Sequence, residues 1–351
     1  MNAVKERQGR VLRTRGGSVS MRVTPRALIV GVILLMAVLV VSAISLTTGD
    51  YPVSVGDVVK TLFGFGDAGT EFIVTTLRLP RLLTGLLVGA ALGVSGAILQ
   101  SLTGNSLGSP DVIGFTEGSA SGALLVIVLA HGGMLEIAAG ALAGGLLTAL
   151  VVGLLAARRG VQGFRLILVG IGVSAMLVAA NKYLITRASV PDAVSAQAWL
   201  VGGLNGRGWE HVVPMLIAVA ILLPLAFGYG RRLALLEMGD DSAKGLGVPV
   251  ERSRIVLIAV SIGLASVATA VAGPITFLAL AAPQLAKRLA RSARPALGSA
   301  ALMGALLLVG SDLVTQRVFG EEGLPVGIVT GGIGGLYLIW LLSHEWRRNR
   351  G

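Results

Sequence analysis

Catalysis and ligand binding need side chains that attack, move protons or hold ions, and in this chain they are sparse. There are no cysteines, so thiol nucleophiles, thiolate metal sites and disulfides are excluded. The three histidines, His131, His211 and His344, are far apart, and each falls near the end of an apolar run. An interfacial role explains them better than metal ligation. No lysine follows a glycine, so there is no G-x-x-x-x-G-K-[ST] phosphate loop and no Walker-type ATP site. Ionisable residues inside apolar runs are the usual mark of proton or ion coupling. Here the runs are nearly clean, and Glu117 and Asp312 stand out as exceptions.

Three polar stretches remain as candidates. "LRLPRLL" carries Arg78 and Arg81. "LTGNSLGSPDVIGF" interrupts two apolar runs with Asn105, Ser109 and Pro110. "RRLALLEMGDDSAKGLGVPVERSR" carries Gly239, Asp240, Ser242, Ala243, Lys244, Leu246 and Gly247. In this last stretch Ala234, Leu235 and Met238 lie at helical spacing. A short helix capped near Asp240, a glycine turn and a second helix from Pro249 would make a compact protruding knob. A transporter without its own ATP site or buried coupling charges needs an outside energy source, and such a knob offers a place to receive it.

The elements that must position these stretches follow from composition. Of 351 residues, 54% are hydrophobic and 13% charged, about half the roughly 25% charge of soluble domains. The 50 glycines suit membrane helices, where small residues let backbones approach. The net charge of +11 does not indicate nucleic acid. Its basic residues cluster at the ends of apolar runs (Arg158-Arg159, Arg231-Arg232, Lys287-Arg288, Arg347-Arg348), as in cytoplasmic loops of membrane proteins.

A spanning helix needs about 20 apolar residues. Ten segments qualify: 26–46, 80–102, 111–130, 134–156, 164–186, 211–230, 254–272, 274–290, 296–315 and 325–343. The third and eighth carry Gly, Pro, Ser or Asp at their ends and read as short or broken. The fold class is an all-α polytopic membrane protein. A basic cytoplasmic tail (1–25) precedes one transmembrane domain (26–343), and a cytoplasmic C-terminal tail (344–351) follows it. The first segment reads as a retained span, being too long for a signal h-region. With both termini inside, most of the 29 Lys and Arg fall on the cytoplasmic side. The other side holds Lys60, Arg78, Arg81, Lys182, Arg187, Arg207 and Arg317, which fits the positive-inside rule. Outside, Val55, Val58, Val59 and Leu62 have the spacing of a short interfacial helix, and Trp199 and Trp209 read as interface anchors. Four G-x-x-x-G pairs (Gly89/Gly93, Gly140/Gly144, Gly327/Gly331, Gly331/Gly335) read as helix-packing sites.

Four ordered blocks resemble the FecCD/BtuC-type permeases of ABC importers for iron–siderophores and vitamin B12. "MGDDSAKGLGV" is similar to that family's coupling loop, roughly L-G-E-x-x-A-x-x-L-G-V. "LRLPRLLTGLLVGAALGVSGAILQSLTGNSLGSPDVIGF" resembles its signature around spans two and three. "AVAGPITFLALAAPQLAKRLAR" and "GLPVGIVTGGIGGLYLIWLL" resemble its last two blocks. The resemblance runs from Leu77 to Leu342, and several blocks are most similar to the ferric enterobactin permeases. Three residues depart from it: Ser106 stands where Pro is usual, Gln284 where many relatives have His, and Gly323 where Glu is common.

The resemblance implies a BtuC-like, non-catalytic permease subunit in the cytoplasmic (inner) membrane. It implies a second permease subunit, a related paralogue rather than an identical copy, lining a shared path. It also implies an ABC ATPase dimer that binds ATP and Mg and a siderophore-binding protein outside, with no cofactor, metal or nucleic acid on this chain. Gly239, Asp240, Ser242, Ala243, Lys244, Leu246 and Gly247 would meet the ATPase. Arg78, Arg81 and Arg317 would dock the binding protein. The segment Val161–Arg165, with Gly163, Phe164 and Arg165, maps to the cytoplasmic gate. Asn105, Ser109 and Pro110 would support the turn between spans two and three. Haem or cobalamin could replace the siderophore within the family. A self-contained secondary transporter, the rival class, would need coupling charges within its spans.

Overall fold

The structure is a computed structural model that describes residues 10–13, 20–23, 25–49, 51–156, 163–291, 296–319 and 324–348. Apart from a short hairpin, β1 (Arg10–Arg13) against β2 (Ser20–Val23), the described chain is helical. The helices are α1 (Pro25–Thr47), α2 (Val55–Leu62), α3 (Ala68–Glu71), α4 (Leu79–Thr103), α5 (Phe115–Leu125), α6 (Met134–Ala156) and α7 (Gly163–Arg187). There follow α8 (Val190–Val201), α9 (Trp209–Leu236), α10 (Asp240–Gly245), α11 (Val250–Ala272), α12 (Leu278–Ala290), α13 (Leu297–Phe319) and α14 (Val326–Arg348).

Each expected span has a helix. Among the described residues, seven stretches are long and apolar enough to cross a membrane: α1, the continuous Ala68–Thr103, α6, Arg165–Arg187 within α7, α9, α11 and α13. The third expected span is shorter than 111–130. Pro110–Gly114 forms a turn, and helix begins only at Phe115, continuing as a π-helical stretch, Val126–Ala130. The eighth is shorter than 274–290. Pro274–Phe277 is irregular, Phe277 takes φ 64°, and α12 has 13 residues. At about 1.5 Å per residue such a helix cannot cross a core of roughly 30 Å. The irregular backbone is tolerated because protein surrounds it: Ile275 and Leu278 are buried.

α4 is the axis of the bundle. Its most apolar window is 78% buried, against 11% for α1, most of whose leucines and isoleucines face outward, Leu34 and Leu46 excepted. Its partners are α13, α11, α9 and α12. The approach to α13 is close because Gly89 and Gly304 face one another, so that a Cβ on either would meet the other's carbonyl oxygen. Gly140 and Gly144 of α6 pack in the same way on Gly122 and Gly118 of α5. Gly327 lies on the Val201 carbonyl, whereas Gly335 faces open space, so the last G-x-x-x-G pair is not a packing site within this chain.

The bundle has two ends. The start of α1 meets the end of α12, through Arg26 Nε to Leu289 O (3.0 Å), at the end that carries α10. The end of α1 meets the end of α13 at the far end, through Arg317 Nη2 to Thr48 Oγ1 (3.1 Å). The expected interfacial helix is α2, capped by Ser54 Oγ, which accepts from Asp57 N (3.1 Å). α3 is capped by Asp67, whose carboxyl lies below its usual range because the Thr70 side chain and backbone N–H bond to it.

Candidate coupling knob and far-end rim

The knob forms as its sequence suggests. α9 runs on to Leu236, two turns beyond the expected end of span six, so Ala234 and Leu235 belong to its last turns. Gly239 takes φ 98° and its carbonyl accepts from Ala243 N (3.0 Å), which starts α10. The helix closes when Gly247 N–H reaches Lys244 O (2.9 Å) and Val248 N–H reaches Ala243 O (3.0 Å). Gly247 has φ 77°, a left-handed conformation that penalises any residue with a Cβ. Pro249 then precedes α11, and its carbonyl accepts from Ser253 N (2.9 Å).

Two anchors hold the knob down. Ala243 is fully buried with Leu233, Leu236, Val248 and Val250. Asp240 Oδ1 accepts from Arg254 Nη2 (2.7 Å), tying the first residue of α10 to α11. The other face is open: Asp241, Ser242, Lys244 and Gly245 are exposed, and Met238 and Leu246 are 64% and 61% exposed. Two large apolar side chains on a charged, protruding surface are what a protein partner would cover.

The polar stretch beside the knob is a supported turn. Gly104 ends α4 with φ 60°. Asn105 Oδ1 accepts from Leu107 N (2.9 Å), and Ser109 Oγ accepts from Val112 N (3.4 Å). Ser109 and Pro110 are buried. Sequence reasoning missed what ties this turn to α12. Gln284 Nε2 donates to Gln100 Oε1 (2.7 Å) and to Ser106 O (3.5 Å), and Gln100 Nε2 donates to Leu280 O (3.0 Å). Gln284 was visible only as a departure from the family pattern. A cavity of ≈520 Å³ opens here, lined by Gln100, Ser106, Glu237, Gln284 and Lys287 among others.

The gate segment is only partly visible. Val161 and Gln162 lie outside the described residues, as do the side chains of Gly163 and Phe164 in the first turn of α7. Arg165 is half-buried.

At the far end the three arginines differ. Arg78 donates from Nη1 to Leu46 O (2.9 Å) and from Nη2 to Tyr51 O (2.6 Å), holding the chain that leaves α1. Arg81 turns inward. Its Nε and Nη2 bond to Asp312 Oδ2 (2.9 Å) and Oδ1 (2.8 Å), and Gln316 Nε2 also reaches Asp312 Oδ2 (2.7 Å). Arg81 is therefore not a fully outward-facing cation as its place in "LRLPRLL" suggests; Asp312, the lone carboxylate of its apolar run, needed a partner. Arg317 is exposed.

This architecture matches known proteins. The model of the FecCD transport family matches residues 28–344. The chain is 48% identical over 324 residues to the ferric enterobactin transport system permease protein FepG of Escherichia coli (strain K12), covering 92% of this chain and 98% of that protein. It is 37% identical to the probable siderophore transport system permease protein YfhA of Bacillus subtilis (strain 168), covering 90% and 95%. It is 34% identical to the iron(3+)-hydroxamate import system permease protein FhuG of the same organism, covering 91% and 98%. Among solved structures, an inward-facing conformation of a metal-chelate type ABC transporter aligns with a TM-score of 0.78 at 28% identity, covering 90% of this chain and 99% of that one. From the first turn of α1 to the last turns of α14, this chain belongs to the FecCD transport family.

Proposed function

We propose that this chain is the membrane subunit of an ABC importer that moves a ferric siderophore inward across the cytoplasmic membrane. The observation that carries this reading is the knob: a short helix with fixed shape, two buried anchors and an exposed apolar–charged face. It is suited to receive motion from a separate ATPase dimer. On this reading the α10 end is cytoplasmic, and so are both termini, since α1 begins there and α14 ends there. The basic clusters Arg231-Arg232 and Lys287-Arg288 flank that same end.

A second, related permease subunit completes the path, and a siderophore-binding protein docks on the far-end rim through Arg78 and Arg317. Arg81 supports that rim by clamping α4 to α13. The segment Val161–Arg165 is proposed as the gate of that path, with only Gly163–Arg165, the start of α7, among the described residues. The cargo is a catecholate chelate of the enterobactin type. Support comes from the 48% identity to a ferric enterobactin permease over nearly the whole of both chains. Haem and cobalamin are the alternative cargoes. The test is uptake of labelled ferric catecholate, ferric hydroxamate, haem and cobalamin in a strain lacking this chain. Restoration of catecholate uptake alone is expected; restoration of only haem or cobalamin uptake overturns the assignment.

A further inference from the structure

A cavity of ≈390 Å³ opens at the far end, between α6, α8, the connection from α8 to α9, the last turn of α11 and Pro325. Its floor is rigid backbone. Gly203 N–H donates to Ala272 O (2.8 Å) and Gly327 N–H to Gly202 O (3.2 Å), joining α8, α11 and α14 at one point. Gly202, with φ 70°, lies so close to the Pro274 carbonyl that no Cβ fits.

The lining combines apolar surface (Met134, Ile137, Trp199) with Arg207 and His211. Arg207 Nε donates to Gly203 O (3.3 Å), and Nη1 lies 3.1 Å from His211 Nε2. His211 Nδ1 accepts from Gly208 N–H (3.3 Å) and lies 3.2 Å from Glu210 Oε1. Glu210 is 55% exposed, and its carboxylate also acts on Arg207 electrostatically. Of the five guanidinium N–H groups, the rest have no acceptor among the described residues. Three helices also begin around this cavity: α6 at Met134, α9 at Trp209 and α14 at Val326. Their N-terminal N–H groups add positive potential, which Glu136 and Glu210 in the first turns of α6 and α9 lessen.

We propose that this cavity is an entry subsite for one arm of an anionic ferric catecholate. Arg207 takes charge from the catecholate oxygens, and Trp199 packs on the ring. The proposal rests on the siderophore reading above and gives it a chemical basis for selectivity. A ferric ion with three catecholate dianions is a trianion; with three hydroxamates it is neutral. The cavity lies near the small end of ligand pockets, roughly 300–1,000 Å³, so it holds an arm rather than the whole chelate. The mainly apolar lining favours an aromatic anion over a lipid phosphate.

The test uses the full chain in zwitterionic nanodiscs, with Trp209, Trp340 and Trp346 changed to Phe so that Trp199 is its one tryptophan. The coloured ferric enterobactin trianion is expected to quench Trp199 saturably, less well at high salt, while a neutral ferric tris-hydroxamate does not. Arg207→Gln is expected to raise the half-saturating concentration about ten-fold, as for one charge-assisted hydrogen bond lost; Arg207→Lys retains most of the affinity. The salt dependence needs no change at Arg207, so it holds even if Arg207→Gln fails to fold. Equal titrations by the two chelates, or an unchanged titration in Arg207→Gln, overturn the proposal. Abolition of quenching by phosphatidylglycerol in the disc assigns the cation to lipid and also overturns it. Uptake is scored separately: a chelate that binds here but is never imported overturns the transport reading and leaves the cavity assignment standing.

Discussion

Arg81 and Asp312 form a two-pronged ion pair, 2.9 and 2.8 Å long, that clamps α4 to α13 at the end of the bundle away from the knob. Asp312 is 4% exposed and Arg81 18%. Removing one partner strands the other charge in a place with little water, which costs about 3 kcal/mol or more for a well-buried pair. Asp312→Ala is therefore expected to lower the thermal midpoint of the detergent-solubilised protein more than the double change Arg81→Met/Asp312→Leu. If the double variant is the less stable of the two, the pair does more than satisfy itself.

The second ion pair is weaker. Asp240 is 43% exposed, so its bond to Arg254 is screened by water. Asp240→Asn is expected to cost no more than about 1 kcal/mol, and the cost should shrink in high salt. Denaturation at two salt concentrations checks this.

Gly247 tests whether the knob's shape matters apart from its stability. Its φ of 77° penalises a β-branched residue by about 1–2 kcal/mol or more, yet no atom crowds the place a Cβ would take. Gly247→Val should thus leave the protein in the membrane and uncouple ATP hydrolysis from uptake. Ala243→Glu, which forces a carboxylate into a fully buried position, should do the same with a larger loss of stability. Normal uptake by both variants would rule out the knob as the route of coupling.

The rim prediction concerns Arg317, exposed beside Thr48. Arg317→Glu should weaken binding-protein affinity several-fold at low salt and much less at high salt, since exposed ion pairs are each worth about 0.2–1 kcal/mol. Arg78→Glu carries a further effect, because Arg78 also holds the Leu46 and Tyr51 carbonyls. Wild-type affinity in the Arg78→Glu/Arg317→Glu variant at low salt would exclude the docking role.

Much of the fold was legible because about twenty apolar residues in a row have few alternatives to a helix in lipid. The limits of that reasoning show at Pro274–Phe277. These residues are as apolar as a span, so hydropathy cannot see that their backbone is irregular and α12 short. α8 was also missed, since it mixes Pro, Asp, Ser and Gln with its apolar residues. The knob was legible because its determinants are local: Asp240, Gly247 and Pro249 lie within ten residues of one another. The partners of Arg81 and Gln284 were not, because Asp312 and Gln100 lie 231 and 184 positions away and only the packing of α4 against α13 and α12 brings them together.

The central claim is that the exposed face of α10 receives the work of a separate ATPase. Leu246 is the most direct probe: it is 61% exposed, and its side chain supports nothing in the core. The measurement is ATP-dependent uptake of a labelled ferric chelate by proteoliposomes holding the complete importer, alongside co-purification of the ATPase. Leu246→Glu is expected to fold and insert like the parent, to lose the ATPase on purification and to abolish ATP-dependent uptake. Uptake that proceeds at the parent rate in Leu246→Glu, or that needs no ATPase at all, would contradict the claim.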